Sequence, residues 1–550
     1  MFLKLASYAA LLLFSSAALS QQPAPDYVLV NGKIFTGDAA HPYVKALAIG
    51  GERILAVGDS ANIQALAGPH TTQVDLGGRV VIPGINDAHI HLDIHPADWT
   101  ELHIHSLNPS WSDLKAAIVK APRSGGIFAT IGPAVFSDPS VNRDALDEIA
   151  PNLPVVLTTL TGHASILNSA ALARAGLHDG QADPMGGRYE KTADGRLTGV
   201  LREYAGMQLF RTLADQTSDA DAISQLRESF AEFAKLGITS IQDMSNVMSP
   251  ERCVALLKKV PTPIRVRVMR MAMTTPKGRD IEEGRSEPPH PAPLITVTGT
   301  KWMLDGVPVE STFEPRGGTA GQPPRSIDQG FAQLGMTFPK TELAAMLRES
   351  LKYNDQLLLH VSGYPAPAAM LEAMQAAGGK EVWGQRRVRF EHGDGLYPDL
   401  VPQVKSLGIV VVQNPSHMSM RAMMPEMFGG KPLERSQPFR SLLDAGIPVA
   451  LGSDGPDNPY LNIMFATTHA NRPSEAITRE QAVIAYTATS AYAEFEEKDK
   501  GTIAPGKLAD LAVLSQDIFA VPLPDLPKTV SLMTFVGGKV IYDAMSAQPQ

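Results

Sequence analysis

The sequence predicts an α/β protein: a TIM-type (β/α)8 barrel joined to a small composite β-domain, taken as a sandwich, built from both termini. Three observations carry that expectation. The middle of the chain alternates short apolar β-rich runs with helical stretches, the signature of parallel strands linked by crossover helices. Both ends share a different texture, short β runs broken by Asn-Gly and Gly-Gly turns. The 550 residues suit three or four ordinary domains at roughly 100–200 residues each, or one large barrel carrying an insertion.

Taken in order, the chain opens with one basic residue in Met1–Lys4, an apolar run Leu5–Phe14, and the small-residue site Ala18-Leu19-Ser20 before Gln21. This reads as a signal peptide over residues 1–20, and predicts an exported protein, in a bacterial periplasm or secreted. A membrane anchor is the weaker alternative, because the run falls short of the roughly 20 residues needed to span a bilayer. Residues 21–81 form the first part of the sandwich, with runs such as YVLVNGKIF and VKALAIGGERILAVG. The barrel is expected over 82–500. Its eight strands are read at RVVIP near 80, Gly237–Gln242, Ile264–Met269, Thr300–Leu304, Gln356–His360, Arg387–His392, Ile409–Gln413 and Ile447–Asp454. The gap between the first two is too long for one helix, so residues from about 92 to 236 are read as an insertion over the barrel mouth. Residues 501–550, including GKLADLAVL and SLMTFVGGKVIYD, supply the second part of the sandwich.

Composition narrows the function. A formal charge of −9 argues against a nucleic-acid partner, which would call for a basic patch. No segment after the leader qualifies as a membrane span. The single cysteine, Cys253, forbids an intramolecular disulfide and a Cys-rich metal site; in RCVALL it reads as a helical core residue. A small-molecule substrate is the expected partner, and self-association is left open.

In such barrels the chemistry sits at the C-terminal ends of the strands. The first run leads to His89 and His91, two apart and therefore on one face of an extended strand end, a pair able to chelate one divalent ion. His103-Ile104-His105 has the same spacing, but Leu102 and Ile104 alternate with the histidines as on a surface strand. His360 and the Glu391-His392 pair stand where apolar strands stop, with Glu391 a candidate to orient an imidazole. Asp454, in LGSDGPDNP, is either a base for a metal-activated water or a turn residue. Lys301 enters an apolar strand, either carbamylated by carbon dioxide to bridge two metals or paired with Asp305 or a nearby acid. His89, His91, Lys301, His360, His392 and Asp454 together form a sufficient shell for one or two divalent ions. Histidine with oxygen ligands suits zinc, with manganese, iron and nickel also open. His163, Asn168 and His417 are candidates for substrate contact, Asn168 alternatively as a helix start. Arg202 and Glu203 are expected to pair with each other. Phe136, Met418 and Met420 are read as core residues rather than pocket lining.

The motifs PGINDAHIHL, TGHASILNSAAL, LGITSIQDMS, TKWMLDG, LLLHVSG, RVRFEHGD, VVQNPSHM, GIPVALGSDGPDNP and GTIAPGKLADLAVL resemble, in order and over essentially the whole mature chain, the amidohydrolase superfamily, and within it amidohydrolase family 3, the YtcJ-like group. The resemblance implies a distorted (β/α)8 barrel with a composite β-sandwich domain, and hydrolysis of an amide or related C–N bond at a metal centre. It implies that His89 and His91 bind the more buried metal, that Lys301 bridges as a carbamate, that His360 and His392 hold the second metal, and that Asp454 is ligand and general base. Two stretches depart from the family pattern: TFEPRGGTAG after Lys301, and HVSGYP after His360, which lacks an Asp usual there. An esterase or lactonase on the same site, and an exported binding protein on a decayed scaffold, are the alternative functions.

Overall fold

The computed structural model describes residues 24–546 apart from 105, 107, 309–326 and 419–433. The expected leader (1–20), His105, Met420 and the TFEPRGGTAG stretch therefore lie outside the described residues.

Eight parallel strands form one sheet that curls into a nearly closed barrel. They are β1 (Ile85–Ile90), β2 (Ile238–Ser245), β3 (Arg265–Arg270), β4 (Ile295–Met303), β5 (Leu357–Val361), β6 (Arg389–His392), β7 (Val410–Gln413) and β8 (Val449–Leu451). Neighbours in sequence are neighbours in the sheet, from β1 to β8. The ends meet through Asp454 N–H, which donates to the His89 carbonyl at 3.0 Å. β1, β2, β5, β6, β7 and β8 are buried along their whole length, as expected for strands covered on both faces.

One strand assignment changes. RVVIP is not a barrel strand: Val80–Pro83 pairs with Lys33–Phe35 and Leu511–Leu514 in the sandwich. The barrel begins directly after it, at Ile85. The two runs are contiguous, equally apolar and separated only by Gly84, so periodicity could not divide them. Gly84 makes the transition sterically feasible, since a Cβ there would fall 2.2 Å from the Thr239 side chain of β2.

The sandwich is composite. One sheet runs Arg53–Gly58, Ala46–Gly50, Tyr27–Val30, Thr72–Asp75; the other runs Lys539–Asp543, Ser531–Val536, Leu511–Leu514, Val80–Pro83, Lys33–Phe35, Tyr43–Val44. Leu29, Ile34, Leu47 and Ile49 from the N-terminal part share a core with Leu511, Val513 and Phe535 from the C-terminal part. The insertion folds on its own sheet, in the order Gly187–Lys191, Leu197–Glu203, Ala164–Leu167, Val155–Thr159, Gly126–Ile131, Trp99–Glu101. The helix Asp219–Lys235 instead joins the barrel: Leu226, Phe230 and Phe233 share a core with Ile85, Ile238 and Ile241. His103 follows the end of the Trp99–Glu101 strand and is exposed, and neither it nor Ile104 lies in a strand. Cys253 lies fully buried in the helix Pro250–Leu257. No helix among the described residues is long and apolar enough to cross a membrane.

The sandwich is tied to the barrel by Arg265 on β3, whose guanidinium reaches Asp510 at 2.8 and 3.2 Å. Asp510 also accepts from Gly537 N–H at 2.6 Å. Asp510→Ala would leave a largely buried arginine unpaired, and is expected to lower the unfolding free energy by about 3 kcal/mol. Denaturant titration of the purified variant measures this loss.

Candidate metal centre

The strand ends converge on one cavity. His89 from β1 and His91 just after it, Lys301 from β4, His360 from β5, His392 from β6, His417 after β7 and Asp454 after β8 all line it, with His163 from the insertion. The rings form a continuous cluster. Centroids are 5.4 Å apart for His89 and His91, 4.9 Å for His89 and His392, 4.3 Å for His360 and His392, and 5.0 Å for both His163–His360 and His392–His417.

Each of these imidazoles is held at Nδ1 by an acceptor outside the cluster. His89 Nδ1 meets Glu391 Oε2 at 2.7 Å, His91 meets Asn246 Oδ1 at 2.8 Å, and His360 meets Asp305 Oδ1 at 2.8 Å. His392 meets Asn414 Oδ1 at 2.8 Å, His163 meets Glu203 Oε2 at 2.8 Å, and His417 meets Asp394 Oδ2 at 3.0 Å. These oxygens accept, so Nδ1 carries the proton. Such an outer partner fixes the tautomer that turns the Nε2 lone pair of a metal-binding histidine toward the ion.

Burial holds His360 and His392 well below the usual histidine range, with neighbouring histidines adding to the effect, and pushes His89 down to about 4 with help from the Lys301 charge. These three are neutral, the form a metal requires. His91 behaves oppositely. Burial would lower it, but the hydrogen bond and charge of Asp454 outweigh that and raise it to about 9. Its Nε2 lies 3.2 Å from Asp454 Oδ1. His417 likewise opposes burial and rises to about 10, between Asp394 and Asp454. Asp454 itself is held well below the carboxylate range: burial opposes ionisation, but His89, His417, His91 and His392 surround it and win.

The donor set fits a divalent cation. Ligand atoms of His89, His392 and Asp454 lie within 4.8 Å of one another. Lys301 is 2% exposed, and its Nζ has only Met244 Sδ, at 3.9 Å, as a hydrogen-bond partner among the described residues. Burial lowers it to about 8. The alternative pairing with Asp305 does not form, because Asp305 is occupied by His360 and the backbone N–H groups of Ser362 and Gly363. Those two amides belong to the HVSGYP stretch, so this departure from the family pattern still leaves His360 anchored.

Two further expectations are corrected. Asn168 does not line the cavity. It is fully buried as the N-cap of the helix Ser169–Arg174, accepting from Ala171 N–H and donating to the Ala150 and Leu153 carbonyls. Arg202 does not pair with Glu203. Successive residues of a strand point to opposite faces, and Arg202 reaches Glu190 at 2.7 Å while Glu203 turns to His163. Phe136 and Met418 pack in cores. The outer partners Glu203, Asp305, Asn246, Asp394 and Asn414 were not singled out for these roles. A faint sign existed for three of them: Asp394 lies two residues after His392, Asn414 three before His417, and Asp305 four after Lys301.

The profile of the family described as "Amidohydrolase family" matches residues 72–542. The chain belongs to the amidohydrolase family. It is thus a hydrolase of the class that acts on C–N bonds. Similar proteins include LONG AFTER FAR-RED 3 of Arabidopsis thaliana, 26% identical over 94% of this chain and 91% of that one. The N-substituted formamide deformylase of Arthrobacter pascens is 25% identical over 94% of this chain and 98% of its own length. Among solved structures, an uncharacterised metal-dependent hydrolase from Pyrococcus horikoshii superposes with a TM-score of 0.68 at 19% identity, covering 90% of this chain and 99% of that one. That likeness concerns the fold.

Two substitutions test the site as built. Glu391→Gln weakens the acceptor behind His89 and is expected to reduce metal affinity about 10–100-fold, read by competition against a chelator. Asn168→Ala removes a helix cap and is expected to lower stability by about 2 kcal/mol without changing kcat/KM. A selective loss of kcat/KM would return Asn168 to the substrate site.

Proposed function

We propose that this chain is an exported, metal-dependent amidohydrolase that cleaves a non-peptide amide or related C–N bond in a small molecule, with Asp454 as general base. One observation carries the reading. Three neutral imidazoles, His89, His360 and His392, each oriented by an outer acceptor, stand beside one ionised carboxylate, Asp454. The named activity of the formamide deformylase relative supports a small amide substrate. Export rests on the leader read in residues 1–20.

His89 and His91 form one ligand pair and His360 and His392 the other, with Asp454 facing both. Zinc suits this nitrogen-and-oxygen set. A bound divalent ion would supply Lewis acidity, bringing the pKa of a water toward neutrality and polarising a carbonyl oxygen. Lys301, lowered to about 8, keeps a neutral amine fraction near neutral pH. That amine can add to carbon dioxide and release a proton, and the resulting carbamate presents two oxygens where a cation stood.

Asp454 moves the proton. Its carboxylate, kept ionised, accepts a proton from the attacking water and returns it to the leaving nitrogen, so the amine departs neutral. His417, 3.2 Å from Asp454 Oδ2, fixes the carboxylate and is itself backed by Asp394. His163, backed by Glu203, stands beside His360 on the insertion side, in position to contact the substrate.

Asp454→Asn is expected to lower kcat by about 10²–10⁴-fold, while elemental analysis still finds metal on the four histidines. Near-normal turnover in this variant would remove Asp454 from the base role. Amides run beside matched esters would show which bond the site prefers.

A further inference from the structure

The cavity continues far past the histidines. Its volume is about 810 Å³, toward the large end for small-molecule sites, and much more than a short amide would occupy. One wall is a face of the insertion's own sheet. Along Gly126–Ile131, Ile127, Ala129 and Ile131 are buried in a separate core with Val155 and Leu157. The alternate residues Phe128 and Thr130 therefore face the cavity, as alternation on a strand requires, and both line it.

The parallel register arranges this wall in rows. Trp99 stands opposite Gly126, Glu101 opposite Phe128, and Thr130 opposite Thr158. The Trp99 indole lies over Gly126, where a Cβ would come within 2.5 Å of the ring. Beyond Thr158 and Thr159 the chain turns to His163, beside His360. The wall thus grades from imidazole through threonine to Phe128 and then Trp99. Two-residue steps on a strand span about 6.6 Å, so the aromatic end starts one step past the threonine row and ends two steps past it.

The adjoining wall is apolar as well. Met207, Phe210 and Leu213 of the helix Tyr204–Asp215 recur every third residue on one side and line the cavity. The Phe210 ring meets Phe128 edge-on with centroids 6.4 Å apart. Besides Asp454, the carboxylates of Asp93, Glu101, Glu228 and Asp457 line the cavity, and Lys301 at the metal end is the only lysine or arginine lining it among the described residues. An anionic tail has no counter-charge there.

We propose that this distal compartment receives an uncharged alkyl or aryl group of the substrate, held roughly 7–13 Å past the threonine row by the strand spacing, with Phe128 and Phe210 as the residues that select it. The proposal rests on the amidohydrolase reading for the position of the scissile bond, and on the cavity alone for the apolar pocket.

The test uses the full mature chain in two forms. Reconstituted with zinc, it is given N-methylalkanamides and N-alkylacetamides of increasing chain length. In at least one series kcat/KM is expected to climb about fourfold per methylene buried once the chain enters the compartment, and a terminal carboxylate should abolish that gain. Phe128→Ala and Phe210→Ala should each cut the long-to-short ratio of kcat/KM about tenfold or more, with Phe210→Leu as the milder variant if Phe210→Ala does not fold. Without metal, the neutral fluorophore N-phenyl-1-naphthylamine should bind the parent and bind the variants more weakly. Turnover indifferent to chain length, or fluorophore binding unaffected by all three substitutions, overturns the compartment while leaving the hydrolase in place. Fluorophore binding lost in the variants, with no amide turned over by the parent, sinks the hydrolase reading and upholds the pocket.

Discussion

The closure between β1 and β8 is the interaction on which the rest depends. The Asp87 carboxylate accepts from His89 N–H at 3.1 Å and from Ser453 N–H at 3.0 and 3.1 Å, and Asp454 N–H donates to the His89 carbonyl. These bonds join the first strand of the barrel to the last. They also set the backbone positions of a candidate ligand and of the proposed base. Between the strands Gly452 passes so close that a Cβ would lie 2.5 Å from the His89 backbone nitrogen. Asp454 and His392 both adopt positive φ, 40° and 69°, a conformation that costs a non-glycine residue of order 1–3 kcal/mol unless its surroundings impose it. Closing the barrel and aiming the site are one event.

A second constraint is charge. Below the histidines the barrel interior holds Arg389 and Glu391, both fully buried and joined at 2.8 Å. Arg389 also donates to the Ala88 carbonyl at 2.6 Å, and Glu391 reaches His89. The guanidinium charge keeps Glu391 ionised, down to about 2 despite burial, so Glu391 is always an acceptor for the His89 N–H. Buried ion pairs are weak sources of stability because desolvation offsets their attraction. Here the pair has a chemical consequence: it fixes the protonation of a candidate ligand, His89. The stability lost at this centre is supplied by the apolar layers around it, where the barrel strands pack against the outer helices.

The insertion separates two tasks. Its loop after Thr159 delivers His163 to the metal end, oriented by Glu203, which itself sits at a positive φ of 52°. Its strand Gly126–Ile131 and the helix Tyr204–Asp215 build the apolar end. Chemistry is fixed by the barrel, whose strand ends cannot move without breaking the sheet. Substrate size is set by a separate small sheet that can vary without disturbing it.

The sequence by itself determined the barrel, the composite sandwich and the residues at the strand ends. An apolar β run that stops at a His, Lys or Asp is a local pattern, and in this fold every such stop points to the same face. It did not separate RVVIP from the true first strand, because two contiguous apolar runs look alike until pairing partners are known. Nor did it supply the acceptors behind each imidazole: Asn246, Asp305, Asp394, Asn414 and Glu203 come from loops or from other elements, and their side-chain directions follow from packing. Asn168 showed the converse, a polar residue in a promising motif whose hydrogen bonds are spent on a helix cap and on neighbouring backbone. Tertiary structure alone decided which nitrogen of each histidine faces the cavity and where the apolar wall lies, because both depend on contacts between residues far apart in the chain.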